Sequence, residues 1–245
     1  AILRPGSPAL PLNLSGGPYI RKINLTTQAV YTSLSTLSQQ PEGKRFSRNS
    51  LGDLYSLQYD ATVEVRLRQS MRDVGPRFGT LLQFTYRNTP FHSTFHAEQT
   101  AVDGQLYLPG FFHHHALRVR YYRQDDATTN YHFENRFDFV RNQSNRLFNK
   151  FQLWSVDYKL PIAYPDFSFL KGFLYFQRLK ADLFAELATG FSSIPDRKYT
   201  NLGMELTADA NVLRFLIPFD MGIRFSYCVG QKQVNGGLIL HVPVF

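Results

Sequence analysis

The sequence predicts an all-β protein, an antiparallel transmembrane β-barrel of ten strands. Three observations carry that prediction: long runs of strict apolar–polar alternation, turn signals between them, and an aromatic residue, Phe245, closing the last run. The clearest run is residues 55–68. Tyr55, Leu57, Tyr59, Ala61, Val63, Val65 and Leu67 alternate with Ser56, Gln58, Asp60, Thr62, Glu64, Arg66 and Arg68. Successive side chains of a strand point to opposite faces, so this run is one strand with an apolar and a polar face. At about 3.3 Å per residue it reaches roughly 45 Å, whereas ordinary strands average about 5–6 residues.

Residues 1–53 are predicted to form an irregular N-terminal segment, plug-like or adding one extra hairpin. Pro5, Pro8, Pro11, Gly16, Gly17 and Pro18 oppose regular structure at its start. Stretches 19–25 and 29–37 are candidate strands that alternate poorly; if both form, the count becomes twelve. Residues 54–245 are the predicted barrel. Its first strand, 54–69, ends at RDVGPR; strands at 77–87, 93–102 and 114–124 follow. The fifth places Tyr131, Phe133, Phe137 and Phe139 on one face, after the polar stretch QDDATTN. The sixth and seventh cover 150–161 and 173–188. The eighth alternates Leu202, Met204, Leu206 and Ala208 with Gly203, Glu205, Thr207 and Asp209. The ninth sets Phe219, Met221, Ile223 and Phe225 against Asp220, Gly222 and Arg224, and the tenth is 238–245.

A soluble barrel points its apolar face inward and a membrane barrel points it outward. Run length favours the membrane, because an outer-membrane barrel needs strands that cross an apolar band roughly 25 Å tall. The polar faces mix both signs of charge with glycine, which suits a packed or watery lumen. Predicted lumen-lining residues are Asp60, Glu64, Arg66, Arg118, Arg120, Lys180, Asp182, Glu205, Asp209 and Arg224, expected to pair and close the bore. Outer-membrane barrels commonly end in an aromatic residue read by the assembly machinery, which makes Phe245 the predicted assembly signal. With 22 Phe, 14 Tyr and one Trp, the chain has the aromatic content for two interfacial girdles. A periplasmic C-terminus puts external loops near 70–76, 103–113, 140–149, 189–198 and 230–236. Periplasmic turns then fall near 88–92, 125–129, 162–171 and 212–217.

Net charge is +8, but the basic residues alternate with apolar ones, as in Leu117-Arg118-Val119-Arg120-Tyr121. They form no basic tract, so nucleic acid is not the expected partner. Outer-membrane lipid, with anionic lipopolysaccharide, is. No run approaches the roughly 20 apolar residues of a transmembrane helix. Cys228 is the only cysteine, so no intrachain disulfide and no cysteine-based metal motif exists. The opening AILRPGSPALP lacks the basic and apolar regions of a secretory leader, so the sequence reads as a mature form or a piece of a longer one.

Candidate chemistry is sparse. His113, His114 and His115 are metal-ligand types, but neighbours on one strand point to opposite faces, so a loop tip is the expected setting. Ser144, within Asn142-Gln143-Ser144-Asn145, has no histidine just before it to serve as a base, as outer-membrane phospholipases do. Asp125-Asp126 resembles an omptin-type carboxylate pair but falls in a predicted periplasmic turn. The expectation is a protein that is not an enzyme, with no cofactor and no metal.

The stretches WSVDYKLPIAYPDFSFLKGFLYFQRLKADLFAEL and ELTADANVLRFLIPFDMGIRFSY resemble the C-terminal barrel of surface-antigen-type outer-membrane proteins, the superfamily of the barrel-assembly insertase. The resemblance rests on the strand entering Leu160-Pro161, the hairpin through Pro218 and the terminal Phe245, and covers about residues 52–245. LYLPGFFHHHALRVRYY is similar to a stretch in related barrels that follow a β-propeller in larger envelope proteins. The chain departs from insertases in three ways. It has no Val-Arg-Gly-aromatic motif of the kind they tuck into the lumen and no POTRA-type domain, and His241 and Pro243 interrupt its last strand. The resemblance implies a cell outer-membrane barrel that is a subunit or anchor of an envelope assembly or transport complex. Its partners would be the barrel-assembly machinery during insertion and other envelope proteins. The alternatives are a small porin-like channel for anionic solutes, a barrel enzyme acting on lipid or peptide, and a soluble barrel holding an apolar ligand.

Overall fold

A computed structural model describes residues 2–3, 7–34, 52–70, 72–90, 95–128, 131–136, 139–143, 148–169, 174–191, 197–212 and 219–241. They form one antiparallel sheet of thirteen strands. In chain order these are β1 (Ile2–Leu3), β2 (Ala9–Asn13), β3 (Tyr19–Leu34), β4 (Gly52–Leu67), β5 (Gly79–Asn88), β6 (Ala97–Pro109) and β7 (Ala116–Thr128). Then come β8 (Lys150–Ala163), β9 (Phe167–Phe169), β10 (Leu174–Phe191), β11 (Arg197–Val212), β12 (Phe219–Cys228) and β13 (Gln233–His241). The long strands β3 to β8 and β10 to β13 make an uninterrupted meander, each paired with the next. The short strands are additions: β1 and β2 lie along β3, and β9 lies beside β10. The sheet is open. Among the described residues no ladder joins β13 to the β1, β2 and β3 edge.

The all-β antiparallel class is as predicted, and three expectations are corrected. First, residues 131–136 and 139–143 are irregular, and β7 pairs directly with β8. Second, the poorly alternating stretch before residue 35 holds one long strand, β3, registered with β4 from Tyr19↔Leu67 to Leu34↔Gly52. It forms a hairpin with β2 through Gly17, whose φ of 60° suits a residue without a Cβ. Third, the loss of the predicted strand at 131–139 reverses the ends to which the earlier loops belong. The β4–β5 and β6–β7 connections share an end with the close of β13, and the β5–β6 and β7–β8 connections start from the opposite end.

The two faces of the sheet are inverted relative to a soluble protein. On β8, Trp154 and Val156 are exposed whereas Ser155 and Asp157 are buried. Leu82, Phe84, Leu183, Leu187, Leu202 and Phe225 share the exposed apolar face, and Gln99, Asp103, Glu186, Asn201 and Asp209 are buried on the other. Charged residues are almost never fully buried unless paired, so this distribution requires a built interior. The exposed face carries cross-strand aromatic pairs: Tyr31–Tyr55 at 4.7 Å, Tyr59–Tyr86 at 6.2 Å and Tyr121–Trp154 at 4.5 Å.

Candidate functional site

The interior is built by the connection between β7 and β8. Its described parts lie across the polar face from β4 to β12. At the β4 side, Arg136 reaches Asp60 at 3.3 Å and donates to Thr85 at 3.3 Å. The Gln99 and Gln124 side chains donate to the Glu134 carbonyl at 3.2 Å and the Asn135 side chain at 3.1 Å. At the far side, Asn142 donates to Ser226 of β12 at 2.9 Å. Seven strand spacings separate β4 from β12. The segment, which turns at Val140–Gln143, bridges them through the Arg136 and Asn142 side chains.

Two kinds of contact hold it. Phe139 packs on Phe151 at 4.9 Å and Tyr199 at 5.3 Å, within a buried cluster that includes Tyr122, Val140, Phe148 and Leu153. Beside that cluster sits Arg141. Its guanidinium pairs with Asp157 of β8, with Glu186 of β10 at 3.3 Å and with Glu205 of β11 at 3.5 Å. Its backbone N–H donates to Glu186 at 3.0 Å, and its carbonyl accepts from Asn201 at 3.1 Å. The guanidinium also lies 4.2 Å from the centre of the Phe184 ring. That ring packs on Gly203, where a Cβ would collide with it. A glycine on β11 is what leaves room for the ring beneath the arginine.

The predicted lumen-lining residues all occur on this polar face. Glu64 pairs with Arg66 at 2.6 Å, Arg118 with Asp157 at 3.1 Å, and Arg120 with Asp103 at 2.7 Å. Lys180 bridges Asp209 at 2.6 Å and Asp220 at 2.9 Å, and Arg224 donates to Glu205 at 2.8 Å. Asp182 lies 3.9 Å from Lys159, beside a polar cavity of about 410 Å³ whose lining includes Lys180, Glu205, Asp220 and Arg224. The cavity is large enough and polar enough to hold water. Sequence reasoning missed Arg136 and Arg141, which lie on the irregular segment, and Asp103, which it assigned to a loop. It also left Asp157 and Glu186 off the lining set although both stand on polar strand faces. Phe245 and Ser144 lie outside the described residues.

The histidines occupy a loop tip. Among the described residues no group of three or more His, Cys, Asp or Glu side chains is arranged to hold a metal. Asp125 and Asp126 are successive residues of β7, not turn residues. Asp125 pairs with Arg123 at 2.6 Å, and Asp126 is buried on the opposite face. His114 contacts Asp73 at 2.8 Å, tying loop 68–78 to the β6–β7 turn. Burial raises the Asp73 carboxyl, but hydrogen bonds from His114 and Ser70 outweigh it and hold the group below the usual carboxylate range. A depressed carboxyl stabilises the fold above its unfolded pKa and loses that contribution as pH falls through its folded value. Asp73→Asn is therefore expected to lower the melting temperature near neutral pH, with the gap closing below about pH 4. Thermal melts of both forms across that range test it; a pH-independent gap would assign the effect to packing.

No protein-family model matches the chain, and no curated protein matches it in sequence.

Proposed function

We propose that the chain is an integral outer-membrane β-barrel, of surface-antigen-type ancestry, that acts as a subunit or anchor of an envelope assembly or transport complex. The observation that carries this reading is the inverted sheet: a continuous exposed apolar face of Leu, Val, Phe and Trp over a buried, ion-paired polar one. A lipid environment makes both halves favourable, since the outer face meets hydrocarbon and the inner charges are matched. Backbone groups along the free edges of β13 and β2 cannot remain unpaired in lipid, so in a membrane the two edges meet.

The filled interior favours an anchor over a pore. From Asp60 to Ser226 the segment bridges the polar face, and the strand charges around it are paired. The expected result is a folded form in detergent-extracted outer membranes that migrates differently from its boiled form and shows negligible conductance in planar bilayers. A chain that partitions into the soluble fraction without a mobility shift would refute the barrel. Steady, anion-selective conductance would replace the anchor with a channel.

A further inference from the structure

We propose that the β6–β7 turn is an interfacial anchor that inserts Phe111 and Phe112 into an anionic glycerophospholipid leaflet. The inference rests on the outer-membrane reading. The turn is firmly built. Gly110 N–H donates to the His115 carbonyl at 3.2 Å, and His115 N–H donates to the Phe112 carbonyl at 3.3 Å. A Cβ at Gly110 would collide with that of His115, so the turn closes only on a glycine. His114 adopts a φ of 65° and is held by Asp73, and its carbonyl accepts from Val74 N–H at 3.3 Å. His115 meets the Tyr158 hydroxyl at 2.8 Å. A turn braced on both sides nevertheless leaves Phe111 89% and Phe112 70% exposed. Bracing holds these rings out in solvent instead of letting them fold back.

The rings continue the exposed apolar face of the sheet. The Phe111 ring is 5.7 Å from that of Tyr158, which follows Trp154 and Val156 on the outer side of β8. Ile162, Tyr164 and Phe167 are exposed further along the same rim, and the Tyr164 hydroxyl donates to the Arg72 carbonyl at 2.8 Å. That bond brings loop 68–78 alongside, with exposed Phe78. The loop carries Arg68, Arg72 and Arg77, and among the described residues none of these guanidiniums has a hydrogen bond or ion pair. The neighbouring acids are engaged: Asp73 by His114 and Ser70, and Asp166 by the Tyr175 hydroxyl at 2.9 Å. Unpaired arginines beside projecting aromatics match a boundary of phosphates over acyl chains, where guanidinium forks grip phosphate and rings sit below. The turn lies at the end where β13 finishes, which outer-membrane barrels keep toward the periplasm. The leaflet there is glycerophospholipid.

Trp154 is the only tryptophan and is exposed on the outer face, so it reports membrane contact of the wall itself. The experiment reconstitutes the parent protein and a Trp154→Phe/Phe111→Trp variant in phosphatidylcholine–phosphatidylglycerol vesicles whose chains carry bromine close to the headgroup. The expected result is loss of fluorescence to bromine at both positions, with the introduced tryptophan shielded from acrylamide. Replacing Arg68, Arg72 and Arg77 with Gln, or omitting phosphatidylglycerol, should weaken quenching at position 111 and leave Trp154 unchanged. Bromine quenching of Trp154 alone, with position 111 open to acrylamide, would overturn the anchor and leave the membrane reading intact. Shielding of position 111 from both quenchers would overturn it in favour of a protein partner or a second copy. Quenching at 111 that ignores both the arginines and phosphatidylglycerol would overturn the anionic-lipid assignment. A Trp154 untouched by bromine would overturn the membrane reading itself.

Discussion

Arg141→Ala is expected to lower the unfolding free energy of the folded form in detergent by about 3–5 kcal/mol, because it leaves buried charges without their partner. The carboxylates it abandons are out of water: Asp157 is 0% exposed and Glu186 4%. Asp157 retains Arg118, so Glu186 suffers more. A urea titration read by gel mobility measures the loss. Adding Glu186→Gln to Arg141→Ala should restore much of it, since the orphaned charge goes with the arginine. A single-variant loss below about 1 kcal/mol, the size of a surface pair, would mean the segment is not seated on these acids.

Val63→Arg should block assembly into the outer membrane on the proposed reading. Val63 stands in the C-terminal half of β4, between Ile23 and Leu82 on the apolar face. An arginine on the lipid face costs about 2–4 kcal/mol at the midplane and less toward the interfaces. Thr62→Arg, one residue earlier, points to the polar face near Asp60 and Glu64 and should be tolerated far better. The contrast between adjacent positions removes side-chain size as an explanation. Normal outer-membrane levels of Val63→Arg would reject the lipid-facing assignment.

Where one face of a strand is apolar and the other charged, the sequence was legible: β4, β8, β10, β11 and β12 fall close to their expected positions. The expected count of ten matched the number of long described strands only because two errors cancelled. Residues 131–139 alternate because Phe133 is buried beside Tyr131 and the Arg87 guanidinium and Phe139 is partly buried against inner-face aromatics, and alternation reports burial on one side, not membership of a ladder. Conversely, β3 carries Ile20 and Val30 on its polar side and Arg21 and Thr27 on its apolar side, which blurs the period although all sixteen residues pair with β4. Misplacing one strand inverts every loop before it, which is why Asp125-Asp126 and loop 68–78 were assigned to the wrong ends. Ion pairs whose partners both stand on strands, such as Glu64–Arg66, Lys180–Asp209 and Arg224–Glu205, were visible as charges at fixed strand faces. Arg136 and Arg141 come from an irregular segment whose ion pairs reach from β4 to β11 and leave no local period.

The hairpin that opens the chain has a geometric consequence. β2 runs antiparallel to β3, and the meander from β3 to β13 reverses direction at every step. The two margins of the sheet therefore point the same way. A cylinder sealed through β2 contains a single parallel seam in an otherwise alternating weave, and parallel pairing is slightly the weaker kind per residue. A cylinder sealed through β3 alternates throughout but requires β1 and β2 to peel away first. In both cases the line along which the cylinder is easiest to unzip runs beside the five residues Ala9–Asn13.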